Sequence, residues 1–210
     1  MTLYEREAWG DGYRLVAGVD EVGVGSLFGP VVAAAVILDP AAPRIRGIRD
    51  SKVLEPEVRE KLAGKIREAA VAWAVGIVDA AEIDRINIYQ ASLLAMKQAV
   101  LALSVAPDFL LIDARRIAVS IPQRPIIDGD ALSVSIAAAS IVAKVARDAM
   151  ICEWDRVYPG YGLASHKGYS TPAHKKALRE LGPTPLHRMS YAPVRAVAGA
   201  AMAADPSLFD

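Results

Sequence analysis

The sequence predicts an α/β fold, a mixed sheet flanked by helices and followed by a small helical C-terminal part. Three observations lead there. Two apolar, β-branched-rich runs, 14–20 and 31–38, stand on either side of a glycine-rich turn, as buried strands joined in a hairpin do. Helix-like and strand-like segments then alternate from about 55 to 113, the order expected of a sheet covered on both faces. From 133 onward the chain reads almost entirely as helix and turn.

Each element has its own signal. Residues 55–70 are charged with periodic apolar positions, as a surface helix requires, and 72–78 form a third strand candidate. One short and one long helix follow over 80–85 and 89–103. Phe109-Leu110-Leu111-Ile112-Asp113 is a buried strand whose last residue is a carboxylate. Residues 133–157 are alanine-rich and helical, and Pro159-Gly160 ends that helix because the pair cannot continue it. A polar loop from Ser165 leads to a helix over 171–181, closed by Gly182-Pro183. The expected organisation is one domain over 1–158, with the helical segment 159–210 packed on it and a flexible tail from about 196.

Composition narrows the function classes. The chain has 210 residues and 53% hydrophobic content, enough for a full core. No run reaches the roughly 18 uninterrupted apolar residues of a membrane helix. The first residues, Met1 to Arg14, carry acids where a signal peptide has a positive start, so a cytoplasmic protein with no membrane partner is expected. Cys152 is the only cysteine; it excludes an internal disulfide and a thiolate cluster and reads as a small buried hydrophobe. Basic and acidic side chains balance at 24 each, yet residues 144–188 hold eight Lys/Arg against four acids, and residues 1–40 six acids against two arginines. Such polarity suits an acidic, cation-binding centre beside a basic track for a phosphate backbone.

The acids carry the chemistry. Asp20-Glu21 stand where an apolar strand meets a glycine turn. Neighbours on a strand point to opposite faces, so their carboxylates converge only where the backbone departs from the pleat, which the flanking glycines permit. Taken alone, the pair serves a solvated loop equally well. Asp113, at the end of its strand, is either a further ligand or a helix cap. Asp148 shares a helix face with Ser140 and Lys144 at spacings of four, as part of a site or in a surface ion pair. Oxygen donors of this kind suit Mg²⁺ or Mn²⁺, and two such ions roughly 3.5–4 Å apart suit phosphodiester hydrolysis. The turn Gly23-Val24-Gly25-Ser26-Leu27-Phe28-Gly29 has a competing reading as a dinucleotide loop, as in an oxidoreductase. Its spacing is one residue too long, a strand follows it, and two carboxylates precede it.

The order of motifs resembles one family, type 2 ribonuclease H, in its bacterial ribonuclease HII branch, from Val16 to about Val194. The matching stretches are Ala17-Gly18-Val19-Asp20-Glu21 with Gly29-Pro30 and the apolar run to Leu38; Asp50-Ser51-Lys52; Ile86-Asn87-Ile88; and Leu111-Ile112-Asp113. The longest is Ser135 to Asp148, which reads SIAAASIVAKVARD. Tyr158-Pro159-Gly160-Tyr161-Gly162, His166-Lys167-Gly168-Tyr169-Ser170-Thr171 and His187-Arg188-Met189-Ser190-Tyr191 close the series.

The resemblance implies an RNase H-like fold and an endoribonuclease that cuts the RNA strand of RNA–DNA hybrids and ribonucleotides embedded in duplex DNA. It makes Asp20, Glu21, Asp113 and Asp148 the metal-binding catalytic acids, with Mg²⁺ or Mn²⁺ as cofactor and products ending in 5′-phosphate and 3′-hydroxyl. Lys52 and Lys144 would contact phosphates. Tyr169 would pack on the sugar past the ribonucleotide, where DNA is recognised by lacking a 2′-OH. Gly23 and Gly25 would read the 2′-OH through their amides, with Val24 at the position that contacts the nucleic-acid backbone. The family's turn has arginine where this chain has Val24, and valine lacks the charge-assisted donors of a guanidinium; Ser26 and Phe28 also depart from the usual residues. Hydrolysis is therefore expected, with an altered preference for single ribonucleotides. The alternative is a hybrid-binding protein with weak or no cleavage. A monomer is expected, and Leu208 and Phe209 in the tail resemble loosely a peptide that binds the sliding clamp.

Overall fold

The hairpin strands form as their patterns predict. In the computed structural model of the protein, which describes residues 2–43, 45–48, 51 and 54–204, β1 spans Val16–Val22 and β2 Val31–Leu38. β3 (Ala70–Val78), β4 (Phe109–Asp113) and β5 (Gln123–Ile126) complete a five-stranded sheet in the order β3-β2-β1-β4-β5. β1 runs antiparallel to β2 and parallel to β4, and β4 runs parallel to β5. The sheet is mixed, as expected.

The helices are α1 (Leu3–Gly10), α2 (Pro56–Ala69), α3 (Ala80–Ile86), α4 (Ile88–Leu101), α5 (Gly129–Leu132), α6 (Val134–Val157), α7 (Leu163–His166), α8 (Pro172–Leu181) and α9 (Ala192–Ala204). No helix among the described residues is long and apolar enough to cross a membrane. Contacts divide the chain into two compact units. The first takes in residues to Val22, Val32–Ile77 and Ser92–Ala146; the second takes Gly23–Val31, Val78–Ala91 and the chain from Arg147. The glycine turn and α3 fall with the C-terminal helices, and the division lies within α6. Helix α9 continues past 196 to Ala204, with Val197 packed against Leu27, Leu178 and Val194.

In the first unit the core lies between β2, α2 and α6. Ala34 and Val36 meet Leu62, Ala63 and Ile66 of α2 and the alanines 137–139 of α6, all nearly or fully buried. Small residues let the helix approach the sheet closely. Glu5 of α1, fully buried, fixes the start of α6: its Oε1 accepts from Ser133 Oγ at 2.5 Å and from the Ser135 amide at 3.0 Å. A carboxylate at a helix N-terminus satisfies donors that have no partner within the helix and complements their partial charge.

In the second unit Phe28 is fully buried with Ile151, Leu163 and Tyr161, edge-on to Trp154 and Tyr158. Asp84 of α3 accepts from the amides of Met189 (2.7 Å) and Ser190 (2.9 Å), anchoring the approach to α9. Thr171 caps α8 through the His174 amide at 3.2 Å. Cys152 departs from the expected buried hydrophobe. It is half-buried, and its thiol accepts from Lys167 Nζ at 2.9 Å.

Candidate metal centre

β1 and β4 deliver their carboxylates to one place. One ligand oxygen from each of Asp20, Glu21 and Asp113 lies within 4.8 Å of the others. The β1–β4 ladder runs from Val16↔Phe109 to Val19↔Ile112, so Asp20 and Asp113 each stand directly after the last pair of that ladder. The expected departure from the pleat does not occur: β1 stays paired with β2 through Asp20↔Ala34, Glu21↔Ala33 and Val22↔Val32. Within the cluster, Asp20 Oδ1 accepts from the Glu21 amide at 2.8 Å, a side-chain bond that leaves this pairing in place. Asp113 is oriented by Gly129, whose amide donates to Oδ1 at 2.8 Å. A Cβ at Gly129 would lie 2.6 Å from Ile136 Cδ1 and 3.1 Å from Asp113 Oδ1, so a side chain there would displace the tip of Ile136 and crowd the carboxylate.

The electrostatics are those of a site built for a cation. Asp20 is 5% exposed. Burial, then the charges of Glu21 and Asp113, hold its carboxyl well above the ordinary range, while the Ser140 hydroxyl and the Glu21 amide oppose the shift. Ser140 itself shares a hydrogen bond of 2.9 Å with Ser51. Glu21 is also raised, chiefly by burial and further by Asp113; Arg115, with Nη2 3.4 Å from Oε1, opposes this. The other oxygen, Glu21 Oε2, is buried without a hydrogen-bond partner among the described residues. An unpaired buried carboxylate oxygen is costly, and a divalent ion shared by three oxygen donors removes both that cost and the mutual repulsion. The donor set fits a hard cation such as Mg²⁺ or Mn²⁺.

Asp148 and Lys144 lie half-buried on α6, Asp148 in the second unit and Lys144 in the first. The cluster of three therefore contains three of the four expected acids. Lys52, Leu208 and Phe209 lie outside the described residues, as does Asp50. Arg115 and Gly129 escaped sequence reading. The only signals were a basic pair, Arg115-Arg116, directly after Asp113, and a glycine between Asp128 and Asp130.

The second unit holds the expected reading residues together. The backbone bridge Ser26↔Tyr169 and the Leu27 amide to Gly168 carbonyl bond (2.9 Å) set the glycine turn beside Tyr169. Arg147, fully buried, braces the turn: Nε donates to Pro30 O (3.0 Å), Nη1 to Lys167 O (2.9 Å), and Nη2 to Ser26 Oγ (2.7 Å) and Phe28 O (3.0 Å). Its guanidinium also lies over the Tyr169 ring at 5.4 Å. Gly23 has a φ of +92°, and a Cβ there would sit 2.2 Å from Arg147 Nε. Val24 is half-buried and Gly25 exposed; the Val24 carbonyl accepts from Arg188 Nη1 (2.9 Å) and Tyr191 Oη (2.6 Å). The turn is thus fixed through its backbone.

Tyr169 is held from behind by histidines. His187 Nδ1 accepts from the Thr184 amide at 3.0 Å, so its proton lies on Nε2, which donates to His174 Nε2 at 3.2 Å; His174 Nδ1 then donates to Tyr169 O at 3.0 Å. Both rings are neutral in this chain of bonds. Burial and then His174 push His187 down to about 4, and burial lowers His174 as well. A base whose folded value lies below its unfolded value of about 6.5 leaves stability intact above that pH and removes it as pH falls. His187 is expected to cost about 2–3 kcal/mol between pH 6.5 and 4, at most about 1.4 kcal/mol per pH unit. The raised carboxyls of the metal centre act in the opposite sense. Denaturant unfolding at pH 7 and 5 should therefore show a shallower loss for His187→Asn than for wild type, and equal slopes would refute the assignment.

A family model described as Ribonuclease HII matches residues 17–194. Ribonuclease HII of Koribacter versatilis (strain Ellin345) is 62% identical over 193 residues, covering 92% of this chain and 76% of the relative. That of Solibacter usitatus (strain Ellin6076) is 62% identical over 192 residues, covering 91% and 84%. Among solved structures, ribonuclease H2 from Pyrococcus horikoshii OT3 superposes with a TM-score of 0.76 at 28% identity, over 88% of this chain and 97% of that one. The structure of the PCNA:RNase HII complex from Archaeoglobus fulgidus gives 0.74 at 26% identity, over 87% and 96%.

Proposed function

Because this chain belongs to the ribonuclease HII family and is a hydrolytic nuclease, we propose that it cuts the RNA strand of RNA–DNA hybrids and ribonucleotides embedded in duplex DNA, using divalent ions held by Asp20, Glu21 and Asp113. The carrying observation is the convergence of these three carboxylates within 4.8 Å, two of them with raised pKa values. Asp148 joins the set through its place in the motif SIAAASIVAKVARD. Bound Mg²⁺ or Mn²⁺ would supply an activated water and stabilise the departing 3′ oxygen, leaving 5′-phosphate and 3′-hydroxyl ends.

The chain's own residues perform the positioning. Gly129 holds Asp113, and the Glu21 amide holds Asp20, so the acids need little reordering when an ion is bound. Gly23 and Gly25 allow bare backbone to approach a sugar, and the Tyr169 ring offers a face to a deoxyribose, where a 2′-OH would crowd it. Lys144 and Lys52 take phosphates. The helical segment from 159 contributes Tyr169 and the histidines behind it. RNA–DNA hybrid and ribonucleotide-containing duplex are the proposed partners, with the protein acting as a monomer in the cytoplasm. A clamp contact through Leu208 and Phe209 rests only on the loose likeness of that peptide.

The test is a cleavage assay with Mg²⁺ and with Mn²⁺ on an all-RNA hybrid and on duplex DNA carrying one ribonucleotide. Cutting of at least one substrate is expected, and cutting of neither would leave only a hybrid-binding protein. Val24→Arg is expected to tighten binding of the single-ribonucleotide duplex by about 1–2 kcal/mol, roughly 5–30-fold, from one new charge-assisted hydrogen bond. The ratio of KM values on the two substrates reads this. An unchanged ratio would remove Val24 from the explanation of preference.

A further inference from the structure

Glu21 is met by a cation that the chain itself supplies. Arg115 Nη2 lies 3.4 Å from Glu21 Oε1, with the arginine side chain 23% exposed and that of the glutamate 9%. The chain reaches this point through Ala114, whose φ of 48° is left-handed, a conformation unfavourable for a residue with a Cβ. That conformation is held by the Ala114 amide donating to Ile126 O at 2.8 Å. Strain of this kind persists where the surroundings over-determine it, and it gathers at functional sites.

The approach to Glu21 is long for an ion pair. A committed guanidinium–carboxylate pair is bidentate, with bonds of about 2.7–2.9 Å. Here Arg115 Nη2 approaches Glu21 Oε1 at 3.4 Å, longer than such a bond, and Glu21 Oε2 stays buried without a hydrogen-bond partner among the described residues. Arg115 thus offsets the charge of Glu21 within the cluster of three acids.

We infer that Arg115 is the internal counter-ion of the metal-free acidic cluster, neutralising Glu21 until a divalent ion arrives and then yielding the carboxylate to it. The inference rests on the reading of Asp20, Glu21 and Asp113 as metal ligands. Arg115 is a positioning residue whose charge sets how much free ion the enzyme needs, because a fixed positive charge beside the site opposes an incoming cation. Two other roles make different predictions. A merely structural arginine would change stability and leave ion affinity untouched, and a phosphate-contacting arginine would change the KM for nucleic acid without affecting ion binding in its absence.

The experiment is calorimetric titration of Mn²⁺ into the full chain at pH 8 without nucleic acid, together with the Tm of the metal-free protein. Arg115→Gln and Arg115→Met, the latter keeping an apolar stem of similar length, are expected to bind Mn²⁺ roughly three- to tenfold tighter, the scale of removing one unit charge from a half-solvated site. Their metal-free Tm should fall and recover on saturation with Mn²⁺. Arg115→Lys, which keeps the charge, should bind as wild type does. Unchanged or weaker Mn²⁺ binding in whichever neutral variants fold would overturn the counter-ion role while leaving the metal site standing. A wild-type chain that takes up no Mn²⁺ would overturn the site itself, and the inference with it.

Discussion

Asp20→Asn is expected to lower hydrolysis of either substrate by about 10³-fold or more, some 4 kcal/mol of barrier, while the protein becomes more stable to heat. The two effects share one cause. Asp20 is nearly fully buried, and its carboxyl is raised first by that burial and then by Glu21 and Asp113. A raised acid is one whose charged form the folded state disfavours, so at neutral pH the ionised carboxylate destabilises the fold relative to the unfolded chain. Asparagine has the same shape, keeps an oxygen to accept from the Glu21 amide, and carries no charge. It removes the repulsion together with the anionic donor that a divalent ion requires. Activity lost through misfolding would lower Tm; loss through the missing ligand raises it, the usual exchange of stability against function at a site of like charges. Steady-state rates and a thermal melt on the same preparation separate the two. A variant that cuts within tenfold of wild type would remove Asp20 from the catalytic set.

The sequence made the strands legible because their residues are apolar almost without interruption, as buried sheet requires: Val31–Leu38 and Phe109–Asp113 are found with the bounds that pattern assigns. β5 was missed for an equally physical reason. Gln123-Arg124-Pro125-Ile126 is short, polar and contains a proline, and it sits at the sheet's edge, where exposure relaxes the apolar rule. Helix α1 escaped because its buried face rests on few residues, Ala8 and the carboxylate of Glu5 among them, and a buried glutamate reads as surface. In the metal centre the strand-end acids were visible in the linear pattern. The hydrogen bond from the Glu21 amide to Asp20 was not, because a side-chain contact leaves the pleat intact. Arg115 was invisible for a third reason: its role depends on a left-handed alanine, and nothing in Ala114-Arg115-Arg116 announces one.

Gly18→Ala is expected to be the most damaging substitution to the fold, because one methyl group meets backbone that cannot move. A Cβ at Gly18 would lie 2.0 Å from Ser135 C, 2.2 Å from Ser135 O and 2.4 Å from Ile136 N, at the start of α6. The strand cannot withdraw, since Gly18 is paired with Val36 on one side and Leu111 on the other. The helix cannot withdraw either, because the buried Glu5 carboxylate binds the Ser135 amide and Ser133 Oγ. Forced overpacking against fixed backbone places the cost at about 4 kcal/mol or more, a fall in Tm of roughly 10 °C for a chain of this size. Residues two apart on a strand share a face, so α6 passes over Gly18 and then over Asp20, whose carboxyl meets Ser140. Any helix displacement tolerated at Gly18 is therefore passed to the metal centre, and the folded remainder of Gly18→Ala should also lose activity. Gly25→Ala is the control: its Cβ would meet nothing within 4 Å, and a Tm within a degree or two of wild type is expected. If the two variants melted together, the close crossing of α6 over β1 would not be what fixes glycine beside the acids.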